Sequence, residues 1–162
     1  MRRQQLRVRV AYHGFALQES DDASLAVPYP DETEFGRYVN VFPGRLDFYS
    51  AGHTHTAAVV VEVWDGLPEA RAKEEWEERE EVVLETSSGE LAVWGMERTD
   101  DIVLLGDAGG RRRVWVGSAG RAEVRRMTED VGVVHGVERW LVQFWPDHDR
   151  GGAGLPVLAP PQ

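Results

Sequence analysis

Apolar and polar residues alternate with a period of two along most of the chain. Leu6, Val8, Val10 and Tyr12 interleave with Arg7, Arg9, Ala11 and His13, the pattern of a strand with one dry and one wet face. Residues 45–50, after Pro43-Gly44, place Leu46 and Phe48 on one face. Residues 55–64 contain Ala57-Ala58-Val59-Val60-Val61, apolar on both faces, which predicts a central strand ended by Asp65-Gly66 and Pro68. Residues 81–86 and 90–96 read as a hairpin around Ser87-Ser88-Gly89, with Val82 and Leu84 opposing Leu91 and Val93. Strands are expected again at 102–105, 112–117 and 122–127, with turns at 106–110 and at Ala119-Gly120. Residues 138–145 close the series as a second central strand, with Trp140, Val142 and Phe144 inward.

Two stretches break the alternation. Residues 15–34, mostly polar and with Pro28 and Pro30, read as a long loop. Residues 69–81 are the only helical candidate, supported by the i,i+4 pairs Glu69–Lys73 and Glu75–Arg79 at roughly 0.2–0.5 kcal/mol each. Trp76 is the only large apolar residue there, so the segment has no stripe to face a core. Many short strands without strong amphipathic helices predict an all-β fold: a two-sheet antiparallel β-sandwich, jelly-roll-like, with one short helical or irregular acidic connection. The domain is expected to span 1–146. The composition of 147–162, rich in Pro and Gly, predicts a flexible tail.

A length of 162 residues fits one domain. The absence of cysteine excludes disulfides, thiolate zinc sites and thiol catalysis. No apolar run approaches the roughly 18 residues that span a bilayer, and Arg7 and Arg9 interrupt any leader-like apolar stretch at the N-terminus. A cytoplasmic protein without a membrane segment is expected. The net charge of −10 is unevenly spread: residues 1–10 carry +4, residues 11–110 carry −16 and residues 111–162 carry +2. The acidic middle repels phosphate backbones, making nucleic acid an unfavoured partner, and attracts basic proteins. Lys73 is the only lysine, so lysine chemistry has a single candidate, in a charged run.

Among possible reactive sets, His53-Thr54-His55 with Glu62 has some of the character of a cupin metal motif, because residues two apart on a strand share a face. A cupin-like metal-dependent enzyme using His53 and His55 is therefore the alternative function. Against it, Glu62 follows His55 by an odd number of positions and should face away. No nucleophile elbow, P-loop or dinucleotide fingerprint is present. Arg111-Arg112-Arg113 with Arg121, Arg125 and Arg126 could line a hairpin as a basic stripe beside Trp115. The acidic segment is the favoured site: Trp76 would anchor a basic protein partner while Glu77, Glu78, Glu80 and Glu81 steer it in. No catalytic residue, metal ligand or cofactor is assigned.

Several segments in order carry a family resemblance: Tyr12-His13-Gly14-Phe15, Gly44-Arg45-Leu46-Asp47-Phe48 leading into 57–63, Ser88-Gly89-Glu90-Leu91, Gly110-Arg111-Arg112-Arg113-Val114, and the closing Leu141-Val142-Gln143-Phe144-Trp145-Pro146. The chain resembles the small bacterial β-sandwich proteins related to competence protein J, the inhibitor of a DNA-entry nuclease, and related uncharacterised actinobacterial proteins. The resemblance implies a non-catalytic sandwich that occludes a partner, an inhibitor or immunity-type protein acting on a nuclease or toxin. No site residue is transferred from it.

Overall fold

The computed structural model describes residues 1–20, 36–69 and 75–147. In chain order the elements are β1 (Arg2–Val10), β2 (Gly14–Glu19), β3 (Val39–Phe42), β4 (Arg45–Tyr49), β5 (His55–Val63), β6 (Glu78–Thr86), β7 (Glu90–Trp94), β8 (Arg98–Leu104), β9 (Gly110–Ala119), α1 (Arg121–Asp130) and β10 (His135–Pro146). The strands form two sheets, β1-β5-β10-β9-β6 and β3-β4-β2-β7-β8, packed face to face. The fold is an all-β sandwich. Its two apolar strands, β5 and β10, are interior to the first sheet as their composition requires, and they run parallel to each other while every other pair is antiparallel.

The period-two pattern fills the space between the sheets. Leu6, Val8, Val10, Val59, Val61, Trp140, Val142 and Phe144 of the first sheet meet Phe15, Leu17, Leu46, Phe48, Leu91 and Val93 of the second. Trp140 sits at the centre, 1% exposed, edge-on to Phe15 at 5.2 Å and to Phe48 at 5.6 Å. A second apolar cluster lies on the outer face of the first sheet, where Trp115, Leu141 and Trp145 pack with Val60, Trp64 and Trp76. The sheets are also joined along both open sides. Arg2 and Gln4 of β1 donate to the carbonyls of Leu104 and Ile102 on β8, and Gly95 lies so close to the Arg9 backbone that a side chain would collide with it. On the far side, Arg37 reaches Glu80 at 3.2 Å and the Tyr38 hydroxyl donates to the Glu78 carbonyl.

Four sequence expectations require correction. Residues 15–19 are strand and not loop: the chain reverses at Tyr12-His13 and continues as β2, with Phe15 and Leu17 inward. From 21 to 34 the expected loop lies outside the described residues. The expected 81–96 hairpin is instead a crossing between sheets, since β6 pairs with β9 and β7 pairs with β2 and β8. Leu84, Leu91 and Val93 therefore meet across the core rather than along a hairpin. The helix expected over 69–81 falls partly outside the described residues (70–74), and from Glu78 the chain is strand β6, whose Glu81 and Glu85 pair with Arg113 and Arg111 on β9. Lastly, the strand expected at 122–127 is helix α1. Gly120, at φ +77°, turns the chain out of β9, and Val124 and Met127, one helical turn apart, pack with Ala51, Val134 and Val137. Only Val124 is buried on this helix, a stripe too thin to register as periodicity.

The expected tail falls almost wholly outside the described residues, of which Asp147 is the last. Among the described residues, no helix is long and apolar enough to cross a membrane.

Candidate functional site

The acidic segment folds back onto the first sheet. Trp76 is half-buried, edge-on to Trp115 at 6.0 Å, with the Arg139 guanidinium 6.0 Å from its ring centre. The four glutamates do different jobs. Glu77 accepts the backbone N–H groups of Gly120 at 2.9 Å and Arg121 at 3.1 Å, placing a negative charge at the start of α1, where the helix dipole favours it. Glu80 accepts from Arg37, and Glu81 from Arg113 at 2.7 Å. The Glu78 side chain is exposed, and its residue contributes a backbone carbonyl to Tyr38. Glu78, Glu80 and Glu81 thus lie along β6, the outermost strand of the first sheet, with Trp76 and Glu77 just before it.

The paired histidines do not converge. His53 is exposed in the β4–β5 loop, its Nδ1 2.8 Å from the Thr54 hydroxyl. His55 is fully buried, and Glu62 sits on the opposite face of β5, bound to Arg3, Trp64 and Gln143. Among the described residues, no three His, Asp or Glu side chains are grouped as a metal would require. His53 instead contacts His13, ring to ring at 5.2 Å.

What surrounds His55 is a buried polar network that sequence separation hid. Glu138, inward-facing on β10 and 0% exposed, receives four donors on its two oxygens: the Ser50 hydroxyl at 2.7 Å, Trp140 Nε1 at 2.8 Å, the Ala51 N–H at 2.9 Å and an Arg121 Nη at 3.2 Å. Arg121 in turn lies over the Tyr38 and Trp140 rings, 5.0 and 5.6 Å from their centres. The Tyr38 hydroxyl meets Ser118 Oγ at 2.6 Å. Burial raises that phenol far above its ordinary range, against the opposing effects of Ser118 and Arg121.

Ser50, His55 and Glu138 have the residue types of a hydrolytic triad but not its wiring. A carboxylate only accepts, so the Ser50 proton goes to Glu138. The Ser50 oxygen then accepts from His55 Nε2 at 2.7 Å and from the Gly52 N–H at 3.1 Å. The imidazole is a donor to the serine rather than its base, and its Nδ1 is buried without a partner. A triad needs the reverse, with the base accepting from the serine and the acid bound to the far ring nitrogen. Burial pushes the His55 pKa below its ordinary value, outweighing the Glu138 carboxylate and the Thr56 backbone, which raise it. The set is a neutral-histidine clamp that pins the β4–β5 loop to β10.

The arginine-rich stretch is likewise spent internally. Arg111 pairs with Glu85 and Asp147, and Arg113 with Glu81 and Asp147. Arg125 and Arg126 sit on α1 rather than across a hairpin, and Trp115 is only 7% exposed. No basic stripe with an open stacking ring is assembled there.

Sequence reasoning missed Tyr38, Ser50 and Glu138, and it placed Arg121 in a basic stripe instead of this network. One signal was available: Glu138 shares strand parity with Trp140, Val142 and Phe144, so it had to point inward and be paired.

No protein-family model and no curated protein matches the chain in sequence. Two solved structures align with it over most of its length, and the first shares its fold. One is ComJ from Bacillus subtilis, inhibitor of the DNA-degrading activity of NucA, with a TM-score of 0.59, 10% identity, and 89% of this chain and 96% of that one covered. The other is described as crocagin biosynthetic gene J, with a TM-score of 0.48, 10% identity and coverage of 91% and 99%. The fold is ComJ-like, as the sequence resemblance implied.

Proposed function

We propose that the chain is a non-catalytic inhibitory module that covers a basic protein partner, a nuclease or a toxin, through Trp76 and the acidic strand β6. The observation that carries this reading is the chain-long likeness of fold to ComJ, a nuclease inhibitor. The wiring of Ser50 agrees with it, because the most triad-like set among the described residues gives the serine proton to the carboxylate and has the histidine as a donor. A partner with net positive charge would be drawn to a molecule of charge −10 and would meet β6 at a sheet border. Glu78 offers an exposed carboxylate there, and Trp76 a ring already fixed by Trp115 and Arg139.

The test is capture of the partner with tagged protein, followed by titration of the purified chain against the partner's own activity. Inhibition that saturates at a fixed stoichiometry supports the reading; an unaltered activity sinks it. Trp76→Ala should weaken binding roughly thirtyfold if the ring is a hot spot worth about 2 kcal/mol. Glu78→Arg, which breaks no side-chain pair among the described residues, should slow association and flatten its salt dependence. Binding unchanged in both variants moves the interface elsewhere on the molecule.

A further inference from the structure

At one end of the sandwich, the β1–β2 turn holds a conformation that its residues disfavour. Tyr12 and His13 occupy the left-handed region in succession, at φ +51° and +67°. Two-residue hairpins place Asn-Gly or Gly-Gly there because a bulky side chain in this region is strained. Burial does not offset that strain at Tyr12, which is 73% exposed.

The turn is nonetheless fixed from several sides. The His13 N–H donates to the His53 carbonyl at 2.9 Å, and the Ser50 N–H donates to the His13 carbonyl at 2.7 Å. His13 Nδ1 donates to the Ser50 carbonyl at 2.9 Å, and its ring stacks on Tyr49 at 5.0 Å. His53 packs edge-on against both Tyr12 and His13. Ser50 is the residue clamped by Glu138, so the tip is anchored directly to the buried network.

Segments 11–13, 50–54 and 131–137 form the middle of this end, the last joined to the start of β5 by the Thr56 N–H bond to the Val134 carbonyl, and the β7–β8 turn, with Gly95 against Arg9 and Glu97 beyond it, lies at its border. None of the three middle segments contains an Asp, Glu, Lys or Arg, in a chain that is 28% charged. Besides Tyr12, the segments expose Val131 (70%) and Val133 (49%). An uncharged centre carrying a rigid aromatic, surrounded by a charged molecule, is the anatomy of a protein interface core with its polar rim. Strain held at an exposed residue by an over-determined scaffold is likewise a mark of function.

We infer that the Tyr12–His13 tip, with His53, is a preformed contact knob that inserts into an uncharged cleft of a protein partner. The inference rests on the inhibitory reading above and adds a second contact region to it. Charge selects the occupant. A second copy would bring two molecules of charge −10 together, and an anionic bilayer would repel the same charge, whereas a basic protein is attracted to the rim while its cleft receives the knob.

The experiment places a photoreactive p-benzoylphenylalanine at position 12 in one full-length protein and at position 78 in another. Adducts formed on irradiation in cell extract are identified by mass spectrometry. It is paired with Tyr12→Asn, because asparagine tolerates the left-handed region. The expected result is an adduct from position 12 to the same basic protein that the wild-type chain inhibits. Tyr12→Asn should then lose at least about tenfold in affinity for that protein, while its Tm rises by about 2–4 °C as the strain is relieved. An adduct to the inhibited protein from position 78 but not from position 12 overturns the knob and leaves the inhibitory reading standing. Adducts from position 12 only to a second copy or to lipid overturn the choice of occupant. No adduct from either position, with no inhibited protein found, overturns both. Unchanged affinity in Tyr12→Asn at raised Tm leaves the strain without a binding role and overturns the inference.

Discussion

Glu138 shows how much a single buried carboxylate can organise. Its four donors come from the β4–β5 loop, α1 and β10 itself, so removing it would strand the Ser50, Ala51 and Trp140 donors at once and leave the Arg121 guanidinium without its carboxylate, held by the Tyr49 carbonyl and Ser118. Glu138→Ala is expected to cost about 3–5 kcal/mol, the range for breaking a buried charge pair. Ser50→Ala, which strands His55 Nε2 and the Gly52 N–H, should cost about 1–3 kcal/mol. Urea titration of the two variants checks both, and a loss below about 1 kcal/mol for Glu138→Ala would mean that the network closes around the gap. The inward direction of Glu138 was readable from strand parity, whereas its partners were not. Arg121 is near it in sequence, but Ser50 and Ala51 are strands away, and only the packing of the sheets brings them to it. Trp76 illustrates the same limit: its environment of acids was legible, and its packing on Trp115 was not.

At the scale of elements, the sequence was most informative where period two ran long. Residues 55–64 and 138–145 announced interior strands because both faces are apolar, and these are β5 and β10. It misled where a short element owes its existence to one contact. Helix α1 follows from Gly120 and one buried valine, and its first turn is charged by Glu77 from another part of the chain. The crossing between β6 and β7 imitated a hairpin because Ser87-Ser88-Gly89 is ordinary turn chemistry. What makes it a crossing is Glu19 at the end of β2, whose carboxylate accepts from the backbone N–H and hydroxyl groups of both Ser87 and Ser88. Glu19→Ala should therefore speed hydrogen exchange at the Ser87 and Ser88 amides while leaving those of β5 and β10 protected. Exchange accelerated equally throughout would show that the crossing is not a separable unit.

For the molecule as a whole, the two buried anchors make stability depend on pH in separable steps. His55 has its folded pKa below the ordinary 6.5 because burial penalises the imidazolium, so the unfolded chain binds the extra proton. Its contribution is full above about 6.5 and is lost as pH falls below that value, with a slope approaching about 1.4 kcal/mol per pH unit for one proton. Glu19 acts lower. Burial raises its carboxyl, but the combined hydrogen bonds from Ser88 and Ser87 bring it below 4.5, so its contribution is present above 4.5 and lost on further acidification. Asp47, held above 3.8 by burial despite Arg45, opposes that second loss, which confines the clean test to the first. His55→Gln isolates it: a glutamine amide can still donate to Ser50 Oγ where Nε2 does, yet it does not titrate. Urea midpoints measured from pH 7.5 to 5 should fall for the wild-type chain and change much less for His55→Gln. A wild-type curve that stays flat across that range would mean that Glu138 and the Thr56 backbone offset the burial of the imidazolium, and the neutral-histidine clamp would have to be abandoned.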